Sequence, residues 1–331
     1  MRNDKWFVTK LTVLLSIGIF LLANGVASSQ EKFPARGIEM VIPFAPGGAT
    51  DVGSRILADE LSRVLKVSIT PVNKAGATGT LGAAYVLKSK RDGYTIFAAT
   101  GGPVINGPII LPDVNYDLFK DFMPVAYFAA IPNVFVAKVD SPWGSITDAV
   151  EYAKKNPGKV TCGSAGTGTE SHFNFEILKS MTKLDMTHVP FKSGADVIPA
   201  VLGGHVSMGV GVIAANGPQI KGGTLKGLGI TSQKRLKDYP NIPTTSELGY
   251  PQVNIPTWLG YLVASGTPEP ALKVLYSAFE RAIKDPEVIS KAERAGYMIE
   301  YKNPEEFRKY LEEQYAIVLK VAKEAGIAVK K

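Results

Sequence analysis

Apolar and polar positions change period repeatedly along this chain, and the changes mark out its elements. Ile38 to Phe44 is a short apolar run of the kind a buried strand shows. Val52, Ile56, Leu57, Leu61, Val64 and Leu65 then recur at helical spacing, and Val67 to Val72 alternates as a second strand. Together they predict a β-α-β unit. After the loop NKAGATGT, a helix of small residues (Leu81, Ala84, Tyr85, Leu87) leads through Asp92-Gly93 into a buried-type strand, Tyr94 to Ala99.

The same order of elements restarts in mid-chain. Ile146 to Lys155 reads as a helix ending at Asn156-Pro157-Gly158. Val160 to Gly163 reads as a strand, GSAGTGTES as a loop, and Phe173, Ile177, Leu178 and Met181 as the next helix. The loops align poorly, so the repetition is one of architecture. A strand-like run between Tyr250 and Pro268, interrupted by Pro256, suits a segment returning from one lobe to the other. Helices are expected at Pro270 to Ile283, Pro286 to Ala295 and Pro304 to Ala325, each opening near a proline that suits a first turn. Alternation of this kind argues for two α/β lobes with helices on the sheet faces, and for a ligand in the cleft near the strand ends.

The N-terminus belongs to neither lobe. Arg2, Lys5 and Lys10 precede an apolar core, Leu11 to Ala23, and Gly25-Val26-Ala27 offers small residues for cleavage. That core of 13 residues falls short of the roughly 20 that span a bilayer. Residues 1–27 are therefore read as a secretory signal peptide, cleaved after Ala27. They contain no cysteine for lipid attachment.

Composition then narrows the function classes. Lys and Arg total 37 against 30 Asp and Glu, a net of +7. Without the three basic residues and Asp4 of the leader, 34 against 29 remain, a net of +5. The excess is spread out and no basic run interleaves with aromatics, which argues against nucleic acid and leaves a modest field suited to small anions. Cys162 is the only cysteine, so no intramolecular disulfide forms and stability rests on core packing.

The corner PFAPGGATD, Pro43 to Asp51, lies between the first strand and its helix, and GSAGTGTES, Gly163 to Ser171, holds the matching place in the second unit. A helix start leaves N–H groups unsatisfied and carries partial positive charge, and glycine lets a ligand approach the backbone. Both corners read as anion cradles for a carboxylate or phosphate, with Thr50, Ser164, Thr167, Thr169 and Ser171 adding hydroxyls. Turn geometry alone also explains such glycines, with Thr50 or Asp51 as a helix cap; two corners in two lobes favour a clamp. Gly163, Gly166 and Gly168 resemble a dinucleotide fingerprint, but no third glycine stands at the proper offset and no acidic partner follows in an evident strand, and no P-loop triplet occurs. His172, His188 and His205 are too scattered for zinc, so neither metal nor cofactor is expected. Cys162 reads as a small buried side chain before a nucleophile, Ser164 lacks a G-x-S-x-G context, and Asp51 has no partner carboxylate. Phe44, Phe191, Trp258 and Tyr261 are candidates to line the cleft, while Tyr127 and Phe128 mark the expected first crossing between lobes.

PFAPGGATD, NKAGATGTLGA, RDGYTIFAAT, YDLFKDFMPVA, GSAGTGTESHF, HVPFKSGAD with LGGHV, and EFRKYLEEQYAIVLKVAKEAGI, in this order, resemble the successive motifs of Bug-type solute-binding proteins, the periplasmic receptors of tripartite tricarboxylate transporters. The resemblance covers essentially all of the mature chain. It implies a type II periplasmic binding protein with lobe 1 at 28–128 and 258–331 and lobe 2 at 129–257. It implies a small organic acid held by Pro46, Gly47, Gly48, Ala49, Thr50 and Asp51 on one side and by Ser164, Ala165, Gly166, Thr167, Gly168 and Thr169 on the other. His172 stands at the motif's histidine, and Phe44 and Phe191 flank the ligand. The family motif commonly has tyrosine, glycine and proline where this chain has Phe191, Ser193 and Asp196, which moves the ligand's far end toward a less polar acid. The expected partners are membrane transporter subunits, with the receptor a monomer and not an enzyme. An exported α/β enzyme acting on a small carboxylate and a receptor coupled to a membrane sensor are the competing readings.

Overall fold

In the computed structural model residues 32–324 and 326–329 are described, so the expected leader and its cleavage site near Ala27 lie outside the described residues. From Arg36 onward the chain forms one unit. Strand β1 (Ile38–Ile42) is apolar and buried except at Glu39, and it stops where Pro43 begins the corner. Helix α1 (Ala49–Leu65) buries Leu57, Ala58 and Leu61 and ends at Lys66, whose left-handed backbone donates its N–H to Ser62. Gly53 is required in it, because a Cβ there would lie 2.8 Å from Leu259 and from Tyr297. Strand β2 (Ile69–Asn73), helix α2 (Thr80–Lys88) and strand β3 (Thr95–Ala99) complete the first β-α-β arrangement, with β1 parallel to both neighbours.

A π-helical turn, Gly102–Asn106, runs into α3 (Gly107–Ile110), and α4 (Leu118–Asp121) precedes β4 (Phe122–Ile131). Next come β5 (Asn133–Lys138), α5 (Ile146–Lys155), β6 (Val160–Ser164), α6 (Glu170–Thr182), β7 (Met186–Pro190) and α7 (Gly194–Leu202). They are followed by β8 (Met208–Val212), α8 (Ile213–Lys221) and β9 (Leu225–Ile230). Strand β10 (Thr257–Ala264), α9 (Glu269–Ile283), α10 (Pro286–Arg294), β11 (Met298–Lys302) and α11 (Pro304–Glu324) close the chain. These make two mixed sheets, ordered β11-β4-β10-β3-β1-β2 and β7-β6-β8-β5-β9, each covered by helices: a two-lobe α/β fold.

The chain changes sheet twice. β4 and β5 are separated only by Pro132, which has no N–H to continue a ladder, and they lie in different sheets. Tyr127 and Phe128 sit inside β4, several residues before that change, and belong to the first sheet's core. The return passes Ile255 and Pro256 into β10, which inserts antiparallel between β3 and β4, with Thr257 opposite Ile131. The two crossings are tied together. Asn133 Nδ2 donates to the Ile255 carbonyl at 3.3 Å and to Thr257 Oγ1 at 3.2 Å, and its backbone N–H donates to Thr231 Oγ1 at 2.9 Å.

Candidate functional site

The first corner is built from the backbone outward. Gly47 takes φ +79°, a conformation that excludes most side chains, and a Cβ built on it meets nothing within 4 Å, so its glycine serves the turn. Its N–H donates to Asp51 Oδ2 at 2.9 Å. Asp51 Oδ1 accepts from Asn73 Nδ2 at 2.9 Å, and both oxygens accept from Arg55 Nε at 3.0 Å. Asn73 Nδ2 also donates to the Phe44 carbonyl at 2.9 Å. Burial works to raise the Asp51 pKa, but Arg55, the Gly47 N–H and Asn73 together outweigh it and hold the carboxyl below the usual range. Asp51 is thus an ionised strut inside the corner. Gly48, the residue before the helix, supplies no side-chain cap, and the N–H groups of Ala49, Thr50 and Asp51 have no acceptor among the described residues. Pro46 and Gly47 are exposed, Ala49 is half-buried, Thr50 is buried, and the Phe44 ring reaches toward Gly102.

The second corner is more self-contained. Thr169 caps α6, its Oγ1 accepting from His172 N–H at 3.3 Å and donating to the Gly166 carbonyl at 2.8 Å. Gly166 N–H donates to Ser164 Oγ at 3.3 Å and Gly168 N–H to His172 Nδ1 at 3.0 Å. Between β6 and α6 the N–H groups that find no acceptor among the described residues are those of Ala165 and Thr167, and in the first turn of α6 that of the buried Ser171 has none either. Phe191 N–H donates to the Ser164 carbonyl at 2.9 Å, and its ring covers Gly163, where a Cβ would lie 3.0 Å from it. His172, 5% exposed, turns its ring into the lobe behind the loop. Trp258 and Tyr261 are also interior: both are fully buried, and Trp258 packs on Tyr127, Phe307 and Tyr310.

The loops of the two sheets meet directly. Thr78 Oγ1 donates to the Thr167 carbonyl at 2.6 Å and Asn106 Nδ2 to the Gly168 carbonyl at 2.8 Å. Ala77 and Thr78 hold this approach with left-handed backbones, φ +45° and +58°, a local strain of the sort that persists where packing enforces it. Beside them Glu170, wholly buried, sets its carboxyl against the backbone of Gly101 and Gly102; a Cβ on Gly101 would lie 2.5 Å from Glu170 Oε1. Burial pushes this carboxyl up to about 7, against the pull of those backbone N–H groups.

Next to the first corner opens a cavity of about 510 Å³. Gly47, Ala49 and Val52 line it together with Ile213, Ala214 and Ala215 and with Glu293 to Tyr297. The Tyr297 hydroxyl bonds the Ala49 carbonyl. Sequence reasoning did not reach Ile213–Ala215, where β8 passes straight into α8 without glycine or a capping side chain; their position at a strand's C-terminal end beside β6 was the available signal. Of the residues expected at the site, Gly47 and Ala49 border this cavity, while Thr167 and Gly168 lie at the seam with Thr78 and Asn106.

Residues 54–327 match the profile of the family described as tripartite tricarboxylate transporter family receptor. The chain belongs to that family. Protein BugT of Bordetella pertussis is 29% identical over 96% of this chain and 98% of its own. Two solved structures align across nearly their whole length. R. palustris Rpa4515 with adipate has 29% identity and a TM-score of 0.84, covering 89% of this chain and 99% of that one. MatC from Rhodopseudomonas palustris with bound malate has 28% identity and a TM-score of 0.81, covering 87% and 99%. The receptor fold expected from the ordered motifs is therefore present.

Nucleophilic chemistry finds little support in this receptor's loops. Cys162 is fully buried, and burial, with Glu176 nearby, pushes its thiol well above the ordinary value. Ser164 Oγ lies 2.6 Å from His188 Nε2, a pairing seen in hydrolases, but Ser164 is 0% exposed and its oxygen also takes the Gly166 N–H.

Proposed function

We propose that this protein is a periplasmic receptor that captures a small organic acid by a carboxylate and presents it to the membrane subunits of a tripartite tricarboxylate transporter. The observation that carries the reading is the uncapped start of α1: three N–H groups without a partner among the described residues at the positive end of a helix of 17 residues, the first of them, Ala49, bordering a cavity that residues of both sheets' halves line. Family membership and the adipate and malate held by two relatives support the class of ligand. In this reading Phe44 and Pro46 to Asp51 form one jaw, Asp51 from behind, and Ser164 to Thr169 with His172 and Phe191 the other. The lobes follow the two sheets, the chain passing from one to the other at Pro132 and returning at Pro256, close to the expected bounds of 28–128 with 258–331, and 129–257. The leader-like residues 1–27 direct export, and the receptor works as a monomer without turnover, its affinity arising from hinge closure.

A thermal-shift screen of mono-, di- and tricarboxylates, followed by calorimetry on the acids that act, tests this. A true ligand at a hundred times its Kd raises stability by about 2.7 kcal/mol. Stabilisation by uncharged compounds alone, or conversion of an acid to product, overturns the reading.

A further inference from the structure

Two of the chain's three histidines meet behind the second corner. Their rings stack with centroids 4.1 Å apart and an interplanar angle of 29°. His172 comes from the first turn of α6, and His188 from the edge strand β7, where it pairs with Cys162 of β6. Each ring engages the loop at one nitrogen: Gly168 N–H donates to His172 Nδ1 at 3.0 Å, and His188 Nε2 lies 2.6 Å from Ser164 Oγ.

A ring nitrogen that accepts carries no proton, so the proton of His172 is on Nε2, which points at Glu176 Oε1 3.6 Å away. The groups facing the pair are Glu176 and Lys179 of α6 and Ser164 and Cys162 of β6, with Phe173 and Phe175 packed alongside. His188 is pushed down to about 4, chiefly by burial and then by His172, so it stays neutral at physiological pH.

We propose that His172 and His188 are a pair of positioning residues: by engaging Gly168 N–H and Ser164 Oγ they select Ala165 N–H and Thr167 N–H as the donors this jaw offers a ligand. The inference follows from the loop's accounts. Its remaining N–H groups are spent internally: Gly166 on Ser164, Gly168 on His172, Thr169 on the Gly166 carbonyl. Removing either ring nitrogen frees the loop to turn a different N–H toward the cleft. This rests on the receptor reading above, in which the loop is a jaw, and replaces direct ligand contact by His172 with an indirect role.

The test has one arm that needs no ligand. In the 15N-histidine-labelled full chain, long-range 1H–15N spectra are expected to show His188 neutral from pH 6 to 8 and the neutral His172 ring with its proton on Nε2. Gly168 should show a hydrogen-bonded amide. A His172→Asn variant, whose Oδ1 falls where Nδ1 sat, should keep that amide signature, and His172→Gln should lose it. In the second arm L-malate and adipate are titrated calorimetrically. His172→Gln and His188→Ala should weaken binding about tenfold or more, with His172→Asn and His188→Gln restoring it to within about threefold. A proton on His172 Nδ1, or equal binding by His172→Asn and His172→Gln, overturns the pair's role. If neither acid binds the wild type while the ring assignments hold, the choice of ligand class has failed and the positioning of the loop stands.

Discussion

Asn174 grips Ile255 by both of its backbone groups: Nδ2 donates to the Ile255 carbonyl at 2.8 Å, and Oδ1 accepts the Ile255 N–H at 2.9 Å. The pair joins α6 to the segment that returns the chain to the first sheet, and both residues are buried. Replacing Asn174 by Ala strands a buried N–H and leaves the carbonyl only Asn133. We expect a loss of about 2–4 kcal/mol in urea unfolding; a loss within experimental error would show that the strap carries no load.

Gly48 and Gly47 separate turn geometry from ligand access. Gly47 has positive φ, so Gly47→Ala should destabilise the fold by about 1 kcal/mol through backbone strain. Gly48 has φ −71°, and a Cβ there touches only the Ala45 carbonyl, at 3.4 Å, so a side chain is accommodated. Gly48→Val should leave thermal stability nearly unchanged and weaken acid binding tenfold or more, an effect of roughly 1.4 kcal/mol. Undiminished binding by this variant would remove Gly48 from the jaw.

Glu170 and Asp51 give opposite dependences on pH. The folded-state pKa of Glu170 is raised by burial from 4.5 to about 7, so the folded protein holds a proton the unfolded chain releases. Stability from this site is therefore full below about pH 4.5 and is lost as pH rises through about 7, by on the order of 3 kcal/mol. Urea titrations between pH 5 and 8.5 should show wild-type stability falling with pH relative to Glu170→Gln. A constant difference between the two proteins over that range would refute the linkage.

Asp51 has its folded pKa depressed by the Arg55, Gly47 and Asn73 bonds against the effect of burial. Its contribution is present above the unfolded value of roughly 3.9 and disappears as pH falls through the lower folded value. Asp51→Asn should lower stability by about 1–3 kcal/mol at pH 7 and narrow the gap to wild type at acid pH. It should also loosen the Gly47 turn, read as faster amide exchange at Gly47 and Gly48.

Much of this fold is local in origin and therefore legible. Leu57, Ala58 and Leu61 sit on one face of α1 as the helical period requires, and Ile146–Lys155 forms the helix its pattern marks, opened by Ser145 and Asp148 capping each other. Pairing between distant strands is not local. Nothing in the alternation of Trp258, Leu259 and Tyr261 says that β10 enters between β3 and β4, nor that the chain changes sheet at Pro132 rather than beside Tyr127 and Phe128. The site shows the same division. Turn glycines advertised the two corners, whereas the seating of Glu170 against Gly101, the bonds from Thr78 and Asn106, and the approach of Ala214 to the first corner come from tertiary packing.

The contrast between an uncapped α1 and a capped α6 bears on the order of events in time. An acid arriving from solvent meets donors already free at Ala49 to Asp51, while the opposite loop has committed most of its N–H groups to Ser164, His172 and Gly166. On the receptor reading proposed above, encounter belongs to the first corner and residence to the second. Substitutions around Gly48 should register in the association rate, and those around Thr167 and Thr169 in the dissociation rate.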